Sequence, residues 1–201
     1  QRAAGEDRAH DLLQNDGGKF TNVTAQLSPE LKNAGMITDA LFTDFDNDKK
    51  IDLVIAGEFM PLSFFRNDNG KFLKVNTGLE NHLGWWNSIV AGDFDQDGDV
   101  DYVAGNLGLN NGYHASKEFP LKVYAKDFDQ NNQVDAVLAC YIKASLKNPD
   151  EKKLYPVHFW DELNTQSPKF RNKYSRYRQY GKATMSELLD EAERNNALVL
   201  E

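Results

Sequence analysis

Cysteine is almost missing from this chain. Cys140 stands alone among 201 residues, so no intrachain disulfide can form, and its place in the apolar run Ala136 to Ile142 predicts a small buried hydrophobe. Long apolar runs are missing too, since none approaches the roughly 20 residues of a membrane helix. An excess of basic charge is also lacking. The formal net charge of -8 argues against a nucleic-acid groove or an anionic membrane surface as the main partner. The four histidines, His10, His82, His114 and His158, are scattered, with no HExxH or comparable pairing. No GxSxG elbow and no phosphate-binding glycine loop occurs. The chain begins at Gln1 without a methionine and shows no signal peptide, so any targeting segment is expected to have been removed or to lie upstream. The closing Leu200-Glu201 is compatible with a vector-derived end.

What is abundant is acid, and it is concentrated. Asp93 to Asp101 reads DFDQDGDVD, five carboxylates in nine residues, with Gly98 after the third alternating aspartate. Carboxylates this close disfavour one another's ionised forms unless a cation joins them. Oxygen ligands at alternate positions, with a glycine at the sharp turn, are the sequence form of a calcium loop. Asp93, Asp95 and Asp97 would supply side-chain oxygens, Asp99 its carbonyl and Asp101 a final carboxylate. The register recurs in residues 44 to 52, DFDNDKKID, and 127 to 135, DFDQNNQVD. These three loops hold twelve of the 31 acidic residues; without them the formal charge of -8 would become +4. The acidity is therefore a property of the loops.

With 40% hydrophobic side chains the chain can bury a sizeable core, as one domain or one domain with an appendage. Gln1 to His10 is polar and gives no clear strand. Asp11 to Gln14 and Phe20 to Thr24 flank a hairpin turn at Asn15-Asp-Gly-Gly-Lys19, and Asn67-Asp-Asn-Gly-Lys-Phe72 repeats that signal. Strands are predicted at 40–45, 51–58, 62–66, 71–75, 88–91, 102–104, 121–125 and 134–142. Strand, acidic turn, strand and hairpin, recurring at 49 and then 34 residues, is the spacing of stacked sheet blades. After His158 the pattern turns helical. Ser167-Pro168 opens a helix carrying Phe170, Tyr174 and Tyr177 up to Gly181 as its C′ residue. Thr184-Met-Ser-Glu187 reads as a capping box opening a second helix to about Asn195.

The three loops resemble the calcium-binding repeats of the FG-GAP family, known from integrin α-subunit β-propellers and from bacterial VCBS-repeat surface proteins. Gly84-Trp-Trp-Asn-Ser88 with AGDFDQDGDVDYVAGNLGLN, and the tail from Tyr155-Pro-Val-His-Phe to Tyr180-Gly-Lys-Ala-Thr184, are similar to envelope proteins of Bacteroidetes-like bacteria. The resemblance implies a mainly β fold: a partial propeller of about three to three and a half blades over residues 1–158, followed by a helical segment, 159–201, packed on or between blades. It implies up to three Ca2+ ions. Their ligands would be Asp44, Asp46, Asp48 and Asp52; Asp93, Asp95, Asp97 and Asp101; and Asp127, Asp129, Asn131 and Asp135, with the carbonyls of Lys50, Asp99 and Gln133. Lys49 stands where the first loop wants glycine, and a Lys at positive φ costs about 1 kcal/mol. Asn132 tolerates that place better. Asn131 replaces a carboxylate, so the second loop is expected to bind tightest and the third weakest.

An EF-hand begins with the same alternation but needs Glu at position twelve and flanking helices. Here position twelve is Ile55, Ala104 and Leu138, which excludes it. The expected function is a non-catalytic extracytoplasmic module, secreted, periplasmic or on the outer surface, in which calcium stabilises the blades and a protein or glycan is bound. Trp85, Trp86 and Trp160 are candidate contacts, weighed against a core role. Neither a nucleic acid nor insertion of this segment in a membrane is expected. Self-association through open blade edges is. The alternative is part of a carbohydrate-active enzyme, using acids such as Glu58 or Asp161 at a propeller face.

Overall fold

The computed structural model describes residues 10–145, 148 and 150–201; of the polar start, residues 1–9 lie outside them. Strand accounts for 39% of the described residues and helix for 19%, a mainly β fold built from antiparallel sheets. It forms two compact units, one running to Gly108 and the other from Leu109 to Glu201.

The first unit begins with β1 (Leu13–Asp16) and β2 (Lys19–Asn22). Gly17 and Gly18 join them at φ 59° and 94°, the left-handed pair that a two-residue hairpin turn demands. A short helix α1 (Thr24–Leu27) and a 3-10 turn (Pro29–Asn33) lead into β3 (Met36–Thr43), β4 (Asp52–Met60), β5 (Ser63–Asp68) and β6 (Lys71–Val75). These four strands make an antiparallel meander. Strand β4 is its spine, and the two-residue period of its side chains feeds two cores. Leu53 and Ile55 pack with Leu31, Met60 and Phe65, whereas Val54 and Ala56 pack with Phe64 and Ile89. At Gly57 an added Cβ would stand 2.3 Å from the Met36 carbonyl, so only glycine admits the neighbouring strand. Strand β7 (Gly84–Gly92) pairs with the far end of β4 and then with β8 (Asp101–Asn106).

The second unit is a four-stranded sheet whose order is not the chain order. Strands β9 (Lys122–Lys126), β10 (Asp135–Lys143) and β11 (Lys152–Pro156) follow one another. Five short helices come next: α2 (Trp160–Gln166), α3 (Pro168–Lys173), α4 (Tyr177–Tyr180), α5 (Met185–Leu188) and α6 (Glu191–Asn195). The chain ends by laying β12 (Leu198–Leu200) beside β9. Leu200 is thus a member of the sheet, opposite Val123. Tyr124, Val137 and Ala139 from the strands share one core with Leu163, Phe170, Met185, Leu188 and Leu189 from the helices.

The helices correct two expectations. The helix expected from Pro168 to Gly181 breaks at Tyr174, whose backbone is extended (φ -125°, ψ 95°), and Gly181 has φ -63° instead of a left-handed C′ conformation. The break lets Tyr174 and Tyr180 pack edge to face at 6.1 Å and Trp160 Nε1 donate to the Tyr174 carbonyl. The helix expected from Thr184 to Asn195 stops at Leu188. Leu189 turns to an extended backbone (φ -113°, ψ 130°), and Asp190 caps a new start through the Glu193 N–H. The Thr184 and Glu187 pairing expected at the first start is present, with Glu187 Oε2 accepting from the Thr184 N–H at 2.8 Å.

Candidate metal centre

Each acidic loop joins two antiparallel strands and closes in one register: Thr43 opposite Asp52, Gly92 opposite Asp101, Lys126 opposite Asp135. The ninth-position aspartate therefore opens the outgoing strand. Its carboxylate accepts the N–H of the second-position phenylalanine, from Phe45, Phe94 and Phe128 at 3.2, 2.9 and 3.0 Å. The first aspartate accepts two N–H groups: those of Asp48 and Lys49 on Asp44, of Asp97 and Gly98 on Asp93, and of Asn131 and Asn132 on Asp127. The fifth-position N–H is shared with Asp46, Asp95 or Asp129. Finally, the fifth side chain accepts from the seventh N–H: Lys50 to Asp48, Asp99 to Asp97, Gln133 to Asn131. The same hydrogen bonds recur in all three loops, including the one with only three acids.

Two left-handed residues make this wrapping possible. The sixth position was expected and is found at Lys49, Gly98 and Asn132, with φ 66°, 97° and 65°. Lys49 thus bears the strain the sequence implied. The fourth position was not expected: Asn47, Gln96 and Gln130 have φ 60°, 64° and 62°. Its signal was the amide side chain present at that place in every loop.

The wrapping gathers carboxylates. Oxygens of Asp44, Asp46 and Asp48, of Asp93, Asp95 and Asp101, and of Asp127, Asp129 and Asp135 each converge within 4.8 Å of one another. Ligands on opposite sides of a calcium ion, each about 2.3–2.6 Å from it, lie about that far apart. The donors are oxygen only, as a hard cation requires, so the residues present fit calcium. Asp52 and Asp97 lie outside these sets. Asp52 is fully buried, and its Oδ1 accepts the Asn67 N–H at 2.7 Å. Lys50, Asp99 and Gln133, expected to lend carbonyls, are held through their N–H groups.

Charge is managed differently in each loop. In the first, Lys50 Nζ sits 2.8 Å from Asp48 Oδ2, and that hydrogen bond holds the Asp48 carboxyl below its ordinary range. In the second, hydrogen bonding with Asp97 pushes Asp99 up. In the third, burial pushes Asp135 up to about 6, against the pull of the Phe128 N–H. Burial also raises Asp127, but the N–H groups of Asn132, Asn131 and Gln130 outweigh it and leave that carboxyl lowered.

The loops also differ in their anchoring. Phe45 meets the Phe64 ring edge to face at 5.3 Å, and Phe128 meets Phe170 at 5.9 Å, but Phe94 is 57% exposed. The third loop is further braced by the helices. Ser167 stands at the N-cap of α3 as read from sequence, but its hydroxyl goes to Asp129 Oδ2 and not to the helix, and Gln166 Oε1 accepts the Ala136 N–H.

The remaining candidates are placed as follows. Trp85, Trp86 and Trp160 are all half-buried: Trp85 against Phe59, Trp86 on the core of Val54 and Ile89, Trp160 on that of Phe170. Cys140 is buried as expected. Glu58 lies in β4 and Asp161 in the first turn of α2. Ile55, Ala104 and Leu138 all lie in strands, as the exclusion of an EF-hand required. Among the described residues no helix is long and apolar enough to cross a membrane.

Acidic hairpin loops of one hydrogen-bond pattern recur along this β-rich chain, which defines a β-repeat protein. Residues 44–104 match the family model described as FG-GAP-like repeat, so the chain carries a repeat of that family. The match takes in the first two loops; the third lies outside it and shares their hydrogen bonds. No curated protein and no solved structure matches the chain.

Proposed function

We propose that this protein is a non-catalytic, calcium-stabilised binding module that works outside the cytoplasm. The observation that carries the reading is the threefold recurrence of one hydrogen-bond pattern, which gathers three carboxylates in each loop. A bound calcium ion supplies the positive charge that lets those carboxylates remain ionised side by side. The chain then keeps each hairpin in register through Asp52, Asp101 and Asp135, the residues that start the outgoing strands. Free energy of binding adds to that of folding, because the unfolded chain has no such site.

In this reading β3 to β6 form one propeller-type blade, β7 and β8 extend it through the pairing of β7 with β4, and β9 to β12 form another blade. Up to three ions are held, and the ligand is a protein or a glycan. The FG-GAP-like repeat supports both the blade assignment and an extracytoplasmic place, where millimolar calcium would keep modest sites filled. A thermal scan with and without EDTA tests the reading. The expected result is a marked fall in melting temperature on chelation, restored by added calcium; an unshifted transition contradicts it.

A further inference from the structure

A cleft of about 510 Å3 opens in the second unit between the sheet and α5, within the range of small-molecule sites. Its sheet wall follows from register. Tyr124 lies opposite Val137, Tyr141 opposite Leu154 and Lys143 opposite Lys152, all at positions of one parity, so Tyr124, Tyr141, Leu154 and Lys152 share a face. Thr184, Ser186, Glu187 and Arg194 line the other side.

Several polar groups here make few or no hydrogen bonds among the described residues. Tyr124 is only 9% exposed, yet its hydroxyl is not among the buried polar atoms without a partner, so it opens onto the cleft. Among the described residues neither the Tyr124 nor the Tyr141 hydroxyl makes a hydrogen bond. Lys152 rests on the Phe119 ring at 4.1 Å, with no carboxylate within ion-pair distance among the described residues. Arg194 spends Nη1 on the Leu189 carbonyl, and among the described residues its other donors make no hydrogen bond. Glu187, the one acid lining the cleft, is committed to Thr184 through both the N–H and Oγ1. On a chain of net charge -8, this is a locally cationic pocket.

From this arrangement we infer that the cleft binds an acidic saccharide, its anionic group between Lys152 and Arg194 and its hydroxyls on Tyr124 and Tyr141. Tyrosine rings offer flat apolar faces to sugar C–H groups, and their hydroxyls both donate and accept. A guanidinium matches a carboxylate or a sulfate in geometry as well as charge. The inference rests on the reading of the protein as a binding module and narrows its ligand.

The test is calorimetric titration of the calcium-loaded chain with a galacturonate hexasaccharide, a heparin-derived hexasaccharide and neutral maltohexaose. At least one acidic oligomer is expected to bind, more weakly as salt rises, and at least tenfold more tightly than maltohexaose; the two acidic arms separate carboxylate from sulfate. Lys152→Gln and Tyr124→Phe, which leaves the ring packing intact, should each weaken binding several-fold without shifting the melting temperature. No binding by either acidic oligomer, or affinity indifferent to both substitutions, overturns the inference. If that happens while EDTA still lowers the melting temperature, only the cleft assignment fails. If chelation has no effect while the acidic oligomer binds, the calcium reading fails and the cleft stands.

Discussion

The hydroxyl of Ser167 donates to Oδ2 of Asp129 across 3.0 Å, so the start of α3 holds a carboxylate of the third acidic loop. Ser167 is itself fully buried. Helices that follow the sheet in sequence are in this way tied to the place where a cation would sit.

Replacing Ser167 by alanine should leave that carboxylate oxygen short of a donor. Hydrogen bonds to charged groups contribute about 1.5–3 kcal/mol, and a loss of about 1–2 kcal/mol is expected in urea unfolding. The same variant should weaken calcium binding at one site and leave the others unchanged. Unaltered stability and affinity would contradict the bracing role.

The three second-position phenylalanines offer an internal comparison. Phe128 is 7% exposed in the helix-covered core, whereas Phe94 is 57% exposed. Phe128→Ala should cost about 3–5 kcal/mol, as truncation of a core aromatic does. Phe94→Ala should cost within about 0.5 kcal/mol, as surface changes do. Equal losses would mean that the residue acts within the loop and not through its core. Denaturation followed by circular dichroism distinguishes the two.

His158 supplies a pH dependence whose sign can be worked out. Its Nε2 accepts the Leu138 N–H at 3.1 Å, and burial pushes its pKa below the ordinary value of 6.5. The unfolded chain therefore binds the proton more readily than the folded one. The contribution is complete above pH 6.5 and is lost as pH falls through that value toward the folded pKa. Asp135, raised by burial to about 6, has the opposite sign in metal-free protein, so the comparison is made at saturating calcium, where its carboxylate stays ionised. The stability advantage of the wild type over His158→Gln should shrink between pH 7 and pH 5. Parallel melting curves across that range would contradict it.

Much of the fold and of the site could be read from residues alone because each signal was local. Alternating aspartates, a phenylalanine at the second position and Asp at the ninth give a hairpin whose hydrogen bonds close within nine residues. Asp-Gly-Gly and Asn-Gly likewise fix their turns without outside help. What escaped depends on residues distant in sequence. Nothing near Leu198 announces that it will pair with Ala125, and nothing near Ser167, which does stand at the N-cap before Pro168, announces that its hydroxyl will go to Asp129. The helix breaks at Tyr174 and Leu189 fall at residues that pack on a core shared with strand residues far away in sequence, Tyr124, Val137 and Ala139. The left-handed Gln96 and Gln130 carry no strong conformational signal of their own, and only the superposition of three loops makes them visible.

Calorimetric titration of calcium into the metal-stripped chain tests the central claim most directly. Three binding events are expected, the tightest lost in Asp93→Ala and in Asp95→Ala and the weakest lost in Asp127→Ala. An isotherm without heat, or one that those substitutions leave unchanged, would contradict the account.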